Sequence, residues 1–210
     1  MRFAERVTTL GRRLPRWPVY AAGALPAAWL AFRLFTGGLG ADPVKVVEHE
    51  LGEWGLVFLI ATLSVTPLRR VAGINLMKHR RALGLLAFFY VLLHLLTWVL
   101  LDMQLLWAEM LKDIYKRPYI TVGMAGFAAM VPLAVTANNR AIRRMGAVAW
   151  QRLHRLAYLA AAAGAIHYLL LVKTVTFAPA AYAGAVFGLL ALRAGWNRRL
   201  RNGLGGLGPT

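Results

Sequence analysis

The sequence predicts an all-α integral membrane protein, a bundle of six transmembrane helices with both chain ends on the same, cytoplasmic side. Three observations predict it. Hydrophobic residues make up 59% of the 210 and charged residues 16%, against roughly half and a quarter in soluble domains, so the excess apolar surface needs an apolar solvent. The apolar residues fall into six separate stretches. The basic residues then alternate from loop to loop.

The chain opens with a basic segment, residues 1–16, carrying Arg2, Arg6, Arg12, Arg13 and Arg16. It resembles the charged start of a signal peptide. No small-residue cleavage site follows and the next apolar run is long, so it reads as a cytoplasmic tail before a retained helix. The six stretches are Trp17–Phe35, Leu51–Pro67, Ala82–Leu101, Tyr119–Val135, Leu153–Val172 and Phe177–Leu192. A membrane helix needs about 20 apolar residues and tolerates about 17, so the third and fifth are the clearest spans. The second, fourth and sixth must thin the bilayer or let their ends snorkel. Pro26 and Pro132 lie inside apolar runs, where membrane helices accommodate kinks because neighbours re-satisfy the backbone. The loop near 102–118 has the makings of a short amphipathic surface segment. Residues 17–192 thus form the membrane domain. Residues 193–210 form a basic, Gly-rich cytoplasmic tail whose last part, Gly203–Thr210, has a disordered composition.

With the N-terminus in the cytoplasm, the inner segments 1–16, 68–81, 136–155 and 193–210 hold 19 of the 25 Lys and Arg residues, and seven of the eight acids fall outside. Lys45, Lys112, Lys116, Arg117 and Lys173 are the outer cations, and Arg33 lies near an outer helix end. A bias this regular is the positive-inside signature, and losing one helix would scramble it. It also accounts for the net charge of +17 without nucleic acid, since a basic DNA-binding domain has no need of several long apolar segments. The chain has no cysteine, which excludes disulfides, thiolate metal sites, iron–sulfur clusters and covalent c-type haem. Any cofactor must be held by histidine, carboxylate or packing.

Of five histidines, His49 and His79 lie in charged loops and read as solvated side chains. His94 and His167 lie inside apolar runs, where an ionisable group is costly and commonly functional. His94 sits seven residues from the outer end of its span and His167 five from the outer end of its own, so their depths differ by only about 3 Å. Two neutral imidazoles at one depth on different helices can ligate a haem iron from both faces. Such bis-ligation leaves no open site and favours electron transfer. The alternative is that each imidazole merely hydrogen-bonds to a neighbouring helix.

His154 is 13 residues from His167, about 20 Å along an ideal helix, too far for the same iron. It suits a second, inner haem, or a propionate or flavin contact. Fourteen residues before His94, on the same helical face, stands Arg80, with His79 beside it. Arg80 is a partner for propionates rather than for iron. Thirteen residues also turn an ideal helix about 140° off its starting face, so His154 and His167 face one neighbour only if their helix bulges, tilts or supercoils. Gly84, Gly123, Gly126 and Gly164 would let a flat macrocycle approach, or serve plain helix packing. Trp54, Trp98, Trp107, Trp150 and Trp196 near helix ends read as interface anchors.

These same residues carry a resemblance. The run from Arg80 through Gly84 and Tyr90 to His94, and the run from Trp150 through His154 and Tyr158 to His167, resemble the ferric-reductase-like transmembrane superfamily. Thr66-Pro67-Leu68-Arg69-Arg70 and Lys116-Arg117-Pro118-Tyr119-Ile120-Thr121-Val122-Gly123 narrow it to the MsrQ (YedZ) family. These are haem-binding membrane subunits of bacterial protein-methionine-sulfoxide reductases. The resemblance implies one or two b haems and FMN, and a location in the bacterial inner membrane. It implies electron relay from the quinone pool or a cytosolic flavin reductase to MsrP, a periplasmic molybdopterin enzyme that repairs methionine sulfoxide. The subunit itself would have no catalytic residues. His94, His167 and His154 would bind metal, with Arg80 or His79 partnering His154. In the two-haem oxidases of the superfamily, a histidine stands where this chain has Arg80. Two rival readings are a stand-alone ferric reductase or quinol-oxidising cytochrome b, and a transporter or scaffold without haem.

Overall fold

The computed structural model describes residues 3–172, 174 and 176–205. Among the described residues every regular element is helical: α1 (Phe3–Arg13), α2 (Trp17–Phe35), α3 (Pro43–Val71), α4 (Arg80–Thr97) running on into a π-helical turn (Trp98–Asp102), α5 (Trp107–Lys116), α6 (Pro118–Val135), α7 (Asn139–Met145), α8 (Ala147–Leu153), α9 (Leu156–Leu171) and α10 (Phe177–Gly205). Local sequence explains the starts. Asp42 caps α3 by accepting from the Lys45 amide at 3.1 Å, with Pro43 in the first turn. Pro118 opens α6 and the Asn138 side chain caps α7.

The fold is the expected membrane helical bundle. Among the described residues five helices are long and apolar enough to cross a bilayer: α2, α3, α4 with its π turn, α6 and the Phe177–Gly195 part of α10. The stretch Leu153–Val172 differs from expectation. A turn at His154–Arg155 interrupts it, leaving α9 with 16 residues, a rise of about 24 Å. Contacts to the end of α6 accompany that break. Trp150 Nε1 donates to the Thr136 carbonyl at 2.9 Å, and the His154 ring reaches the Thr136 hydroxyl at 3.1 Å, so both side chains lean on the end of α6. At the other end of the chain, α10 runs past Leu192 to Gly205. Arg2, Lys173 and the tail from 206 onward lie outside the described residues.

The long helices run up and down between two chemically distinct ends. At the acidic end Arg33 pairs with Glu50, and Lys45 bridges Glu48 and Asp102. At the basic end Arg81 meets Asn139, and Lys78 Nζ donates to the carbonyls of Arg12 and Leu14. α3 packs chiefly on α4, α6 on α9, and α10 on α9 and α3. α9 contributes Ala160, Ala161, Ala163 and Ala165 to the buried core. Such small residues allow the close backbone approach that stabilises helix pairs in lipid. α2 turns Leu25, Trp29 and Phe32 outward, an apolar stripe at helical spacing that lipid would cover.

One fully buried side chain shapes α2. The Tyr90 hydroxyl donates to the Gly23 carbonyl at 2.7 Å and accepts from the Ala27 amide at 2.9 Å. It therefore stands inside the Gly23–Ala27 rung of the α2 ladder, beside Pro26, and ties that turn to α4.

α1 is docked rather than trailing free. Thr8, Gly11 and Arg12 bond to the 73–79 loop. This corrects the reading of His79 as a solvated side chain: it is 6% exposed, with Nε2 on the Gly11 carbonyl at 2.8 Å.

Candidate cofactor sites

Two cavities open between α3, α4, α6 and α9, one toward each end. Leu59 and Met130 line both of them, so a layer of apolar side chains separates the two.

The cavity at the acidic end measures about 350 Å³ and is lined by His94 on α4 and His167 on α9. Their ring centres are 6.1 Å apart, with planes at 78°. The two rings are held in parallel fashion. His94 Nδ1 bonds to the Glu48 carbonyl on α3 at 2.8 Å, and His167 Nδ1 to the Tyr119 carbonyl on α6 at 2.7 Å. A carbonyl only accepts, so each Nδ1 carries the proton and each Nε2 keeps its lone pair, with no protein partner among the described residues. Four residues beyond each carbonyl comes a glycine. A Cβ on Gly52 would stand 3.2 Å from His94 Nδ1, and one on Gly123 only 2.8 Å from His167 Nδ1. The missing side chains are what let each imidazole lie against the neighbouring helix. Lys45, His49 and Arg117 line the mouth. His49 is exposed, as expected, yet it faces this cavity.

The cavity at the basic end is larger, about 990 Å³, and is lined by His154, Arg80, Tyr158 and Trp150. Arg16, Lys78, Arg81 and Arg155 also line it, and among the described residues no carboxylate does. His154 stacks on Trp150 with ring centres 3.7 Å apart. The Thr136 hydroxyl lies 2.6 Å from the Pro132 carbonyl, to which it must donate. It can then only accept from His154 Nε2, so that nitrogen is protonated and occupied. His79, offered as a partner for His154, is turned away toward α1 and does not line the cavity. The turn at His154 also removes the 140° conflict, because His154 and His167 do not share one continuous helix.

Comparison with known proteins follows the same residues. The family model described as ferric reductase like transmembrane component matches residues 51–165. A protein-methionine-sulfoxide reductase heme-binding subunit MsrQ of Brucella ovis is 50% identical over 177 residues, covering 84% of this chain and 80% of the relative. The proteins of the same name in Brucella canis and Brucella suis match to the same extent. The chain belongs to the MsrQ family.

Within this MsrQ family member, residues 51–165 take in His94 and His154 and stop just short of His167. Gly123, Gly126 and Gly164 line the acidic-end cavity and Gly84 the basic-end one. Sequence reasoning missed Gly52. The repeated spacing of Glu48 to Gly52 and Tyr119 to Gly123 was its only trace. It also missed Glu53, whose carboxylate accepts from the Tyr168 hydroxyl beside the acidic-end cavity. The tryptophans are corrected in part. Trp98 is buried, Trp54 packs on Phe58 and Tyr90, Trp150 stacks on His154, and Trp107 is exposed as an interface anchor would be, while the side chain of Trp196 lies outside the described ones.

Proposed function

We propose that this chain is a membrane cytochrome b. It relays electrons from the cytoplasmic, basic end to the periplasmic, acidic end of the bacterial inner membrane, with six membrane crossings in which α9 is the short one. His94 and His167 hold one b haem, and the basic-end cavity holds FMN. The donor is the quinone pool or a cytosolic flavin reductase, and the acceptor is MsrP, a periplasmic molybdopterin reductase of methionine sulfoxide.

The single observation that carries this reading is the His94–His167 pair. Metal–imidazole bonds of about 2.0–2.1 Å, plus about 1.1 Å from each nitrogen to its ring centre, put the ring centres of a linear bis-imidazole pair about 6.3 Å apart. The observed separation is 6.1 Å. Among the described residues no three His, Asp or Glu side chains gather as a metal site. A bare ion would lack ligands here, whereas a macrocycle brings four of its own. Lys45 and Arg117 at the mouth suit its propionates.

The basic-end cavity fits an anionic cofactor better than a second bis-histidine haem. Its lining has cations and no carboxylate, His154 Nε2 is engaged by Thr136, and Arg80 cannot serve iron. His154 and Trp150 offer a stacked aromatic wall, and Arg16, Lys78 and Arg155 at the exposed rim suit a phosphate.

The bound groups supply the redox couples. The protein's part is positional. The carbonyls of Glu48 and Tyr119 fix both imidazole tautomers and make the rings better donors. Leu59 and Met130 keep the two sites apart, yet only a thin layer apart. The apolar walls exclude water and tune the potential.

Purified full-length protein tests this. Pyridine haemochrome and released-flavin assays should each find about one group per chain, with a low-spin six-coordinate haem spectrum. Addition of the reduced protein to MsrP should re-oxidise the haem. A protein without haem sinks the reading. Haem that persists in reduced form before MsrP, but is oxidised by ferric chelates or reduced by quinol alone, supports the stand-alone rival.

A further inference from the structure

Arg193 on α10 is 8% exposed and lies near the basic-end cavity. Its Nη1 donates to the Tyr158 hydroxyl at 2.8 Å and its Nη2 to the Leu63 carbonyl at 2.6 Å. Its Nε is buried with no acceptor, and none of the ion pairs among the described residues includes it. The guanidinium also sits over the Tyr158 ring, 5.2 Å from its centre. A buried charge without a counter-ion is expensive to keep.

Tyr158 lines the cavity itself. Its hydroxyl accepts from Arg193 and therefore has its own proton to give. Arg80 lines the same cavity. The exposed cations Arg16 and Arg155 at the rim suit the permanently charged phosphate. The deeper pair is left to face the part of the ligand farther inside.

We propose that Arg193 and Tyr158 form a charge-backed hydrogen-bond donor in the wall of the basic-end cavity, and that it favours the reduced flavin over the oxidised one. The inference rests on the reading of this cavity as an FMN site. Two-electron reduction with uptake of one proton leaves the flavin ring one unit more negative. The electrons come from the quinol or flavin-reductase donor already named. A fixed cation acting through a proton donor stabilises that added charge and gives the neutral oxidised ring much less. Tyr158 touches the ligand, and Arg193 is a positioning residue behind it.

The test uses full-length protein loaded with haem and FMN, with the Soret spectrum of the haem as the control for folding. FMN dissociation constants are measured for the oxidised and the reduced protein, and the flavin potential by dye equilibration. In Tyr158→Phe the affinity for reduced FMN should fall by about tenfold or more relative to the oxidised form, the scale of a hydrogen bond to a charged group. Tenfold corresponds to about 30 mV for a two-electron couple. Arg193→Met should match or exceed this, and Arg193→Lys should recover part of it. An unchanged flavin potential in Tyr158→Phe with an intact haem spectrum overturns the inference, as does equal weakening of both redox forms. Wild-type protein that takes up no FMN overturns the FMN reading itself, and this inference with it.

Discussion

Replacing Gly123 with alanine puts a methyl carbon 2.8 Å from His167 Nδ1 and 3.1 Å from its Cε1. Ordinary contact needs about 3.4 Å or more, so the imidazole must retreat by roughly half an ångström. Its bond to the Tyr119 carbonyl, now 2.7 Å, lengthens to the weak edge of hydrogen bonding. The methyl is harmless to the helix itself, since alanine is favoured over glycine there by about 1 kcal/mol. The loss should therefore appear in the haem and not in the fold. Disrupting a partner that orients a ligating histidine typically costs 10–100-fold in affinity, or about 1.4–2.7 kcal/mol. Gly52→Ala is the milder case, because its Cβ would stand 3.2 Å from His94 Nδ1. Gly184→Ala on α10 is the control, with nothing within 4 Å. Haem titration of the three apoproteins, followed at the Soret band, should rank the losses as Gly123, then Gly52, then none for Gly184. If Gly123→Ala binds haem like the control, the carbonyl-and-glycine cradle does not hold His167 as described.

Other perturbations give separate readings. His94→Ala and His167→Ala should each abolish the same haem while His154→Ala retains it; difference spectra check this, and bis-histidine ligation surviving in either of the first two variants refutes the pairing. Tyr90→Phe removes the hydroxyl from the α2 ladder and should destabilise the protein by about 1 kcal/mol, seen as a lower unfolding midpoint, with no effect on the haem spectrum. Lys45→Met leaves Glu48 and Asp102 facing each other without their bridging cation. The added negative field should lower the haem potential by tens of millivolts, read by redox titration, and an unchanged or raised potential contradicts the placement of the haem at that mouth.

What could be read from the chain alone was whatever local composition determines. Every apolar stretch became helix, Trp17–Phe35 without change and Tyr119–Val135 to within one residue, because burial in lipid depends on each segment by itself, whereas Leu51–Pro67 and Phe177–Leu192 are parts of longer helices. The alternation of charge located the two ends, and Arg33, Glu50, Lys45 and Asp102 do meet at the acidic one. His94 and His167 could be matched in depth because helical rise is constant. The amphipathic 102–118 segment likewise appears as α5.

Tertiary structure decided the rest. The break at His154 depends on Thr136, some eighteen residues away on another helix, and no periodicity within residues 153–172 reports it. His79 looked solvated because its partner Gly11 lies 68 residues earlier. The tautomers of His94 and His167 are set by backbone carbonyls, which every residue possesses and which therefore leave no mark in a sequence. By sequence Arg193 falls in the basic tail and Tyr158 in an apolar helix, and only the packing of α10 lays one against the other. A sequence specifies which groups can bond; only packing specifies which of them are within 3 Å.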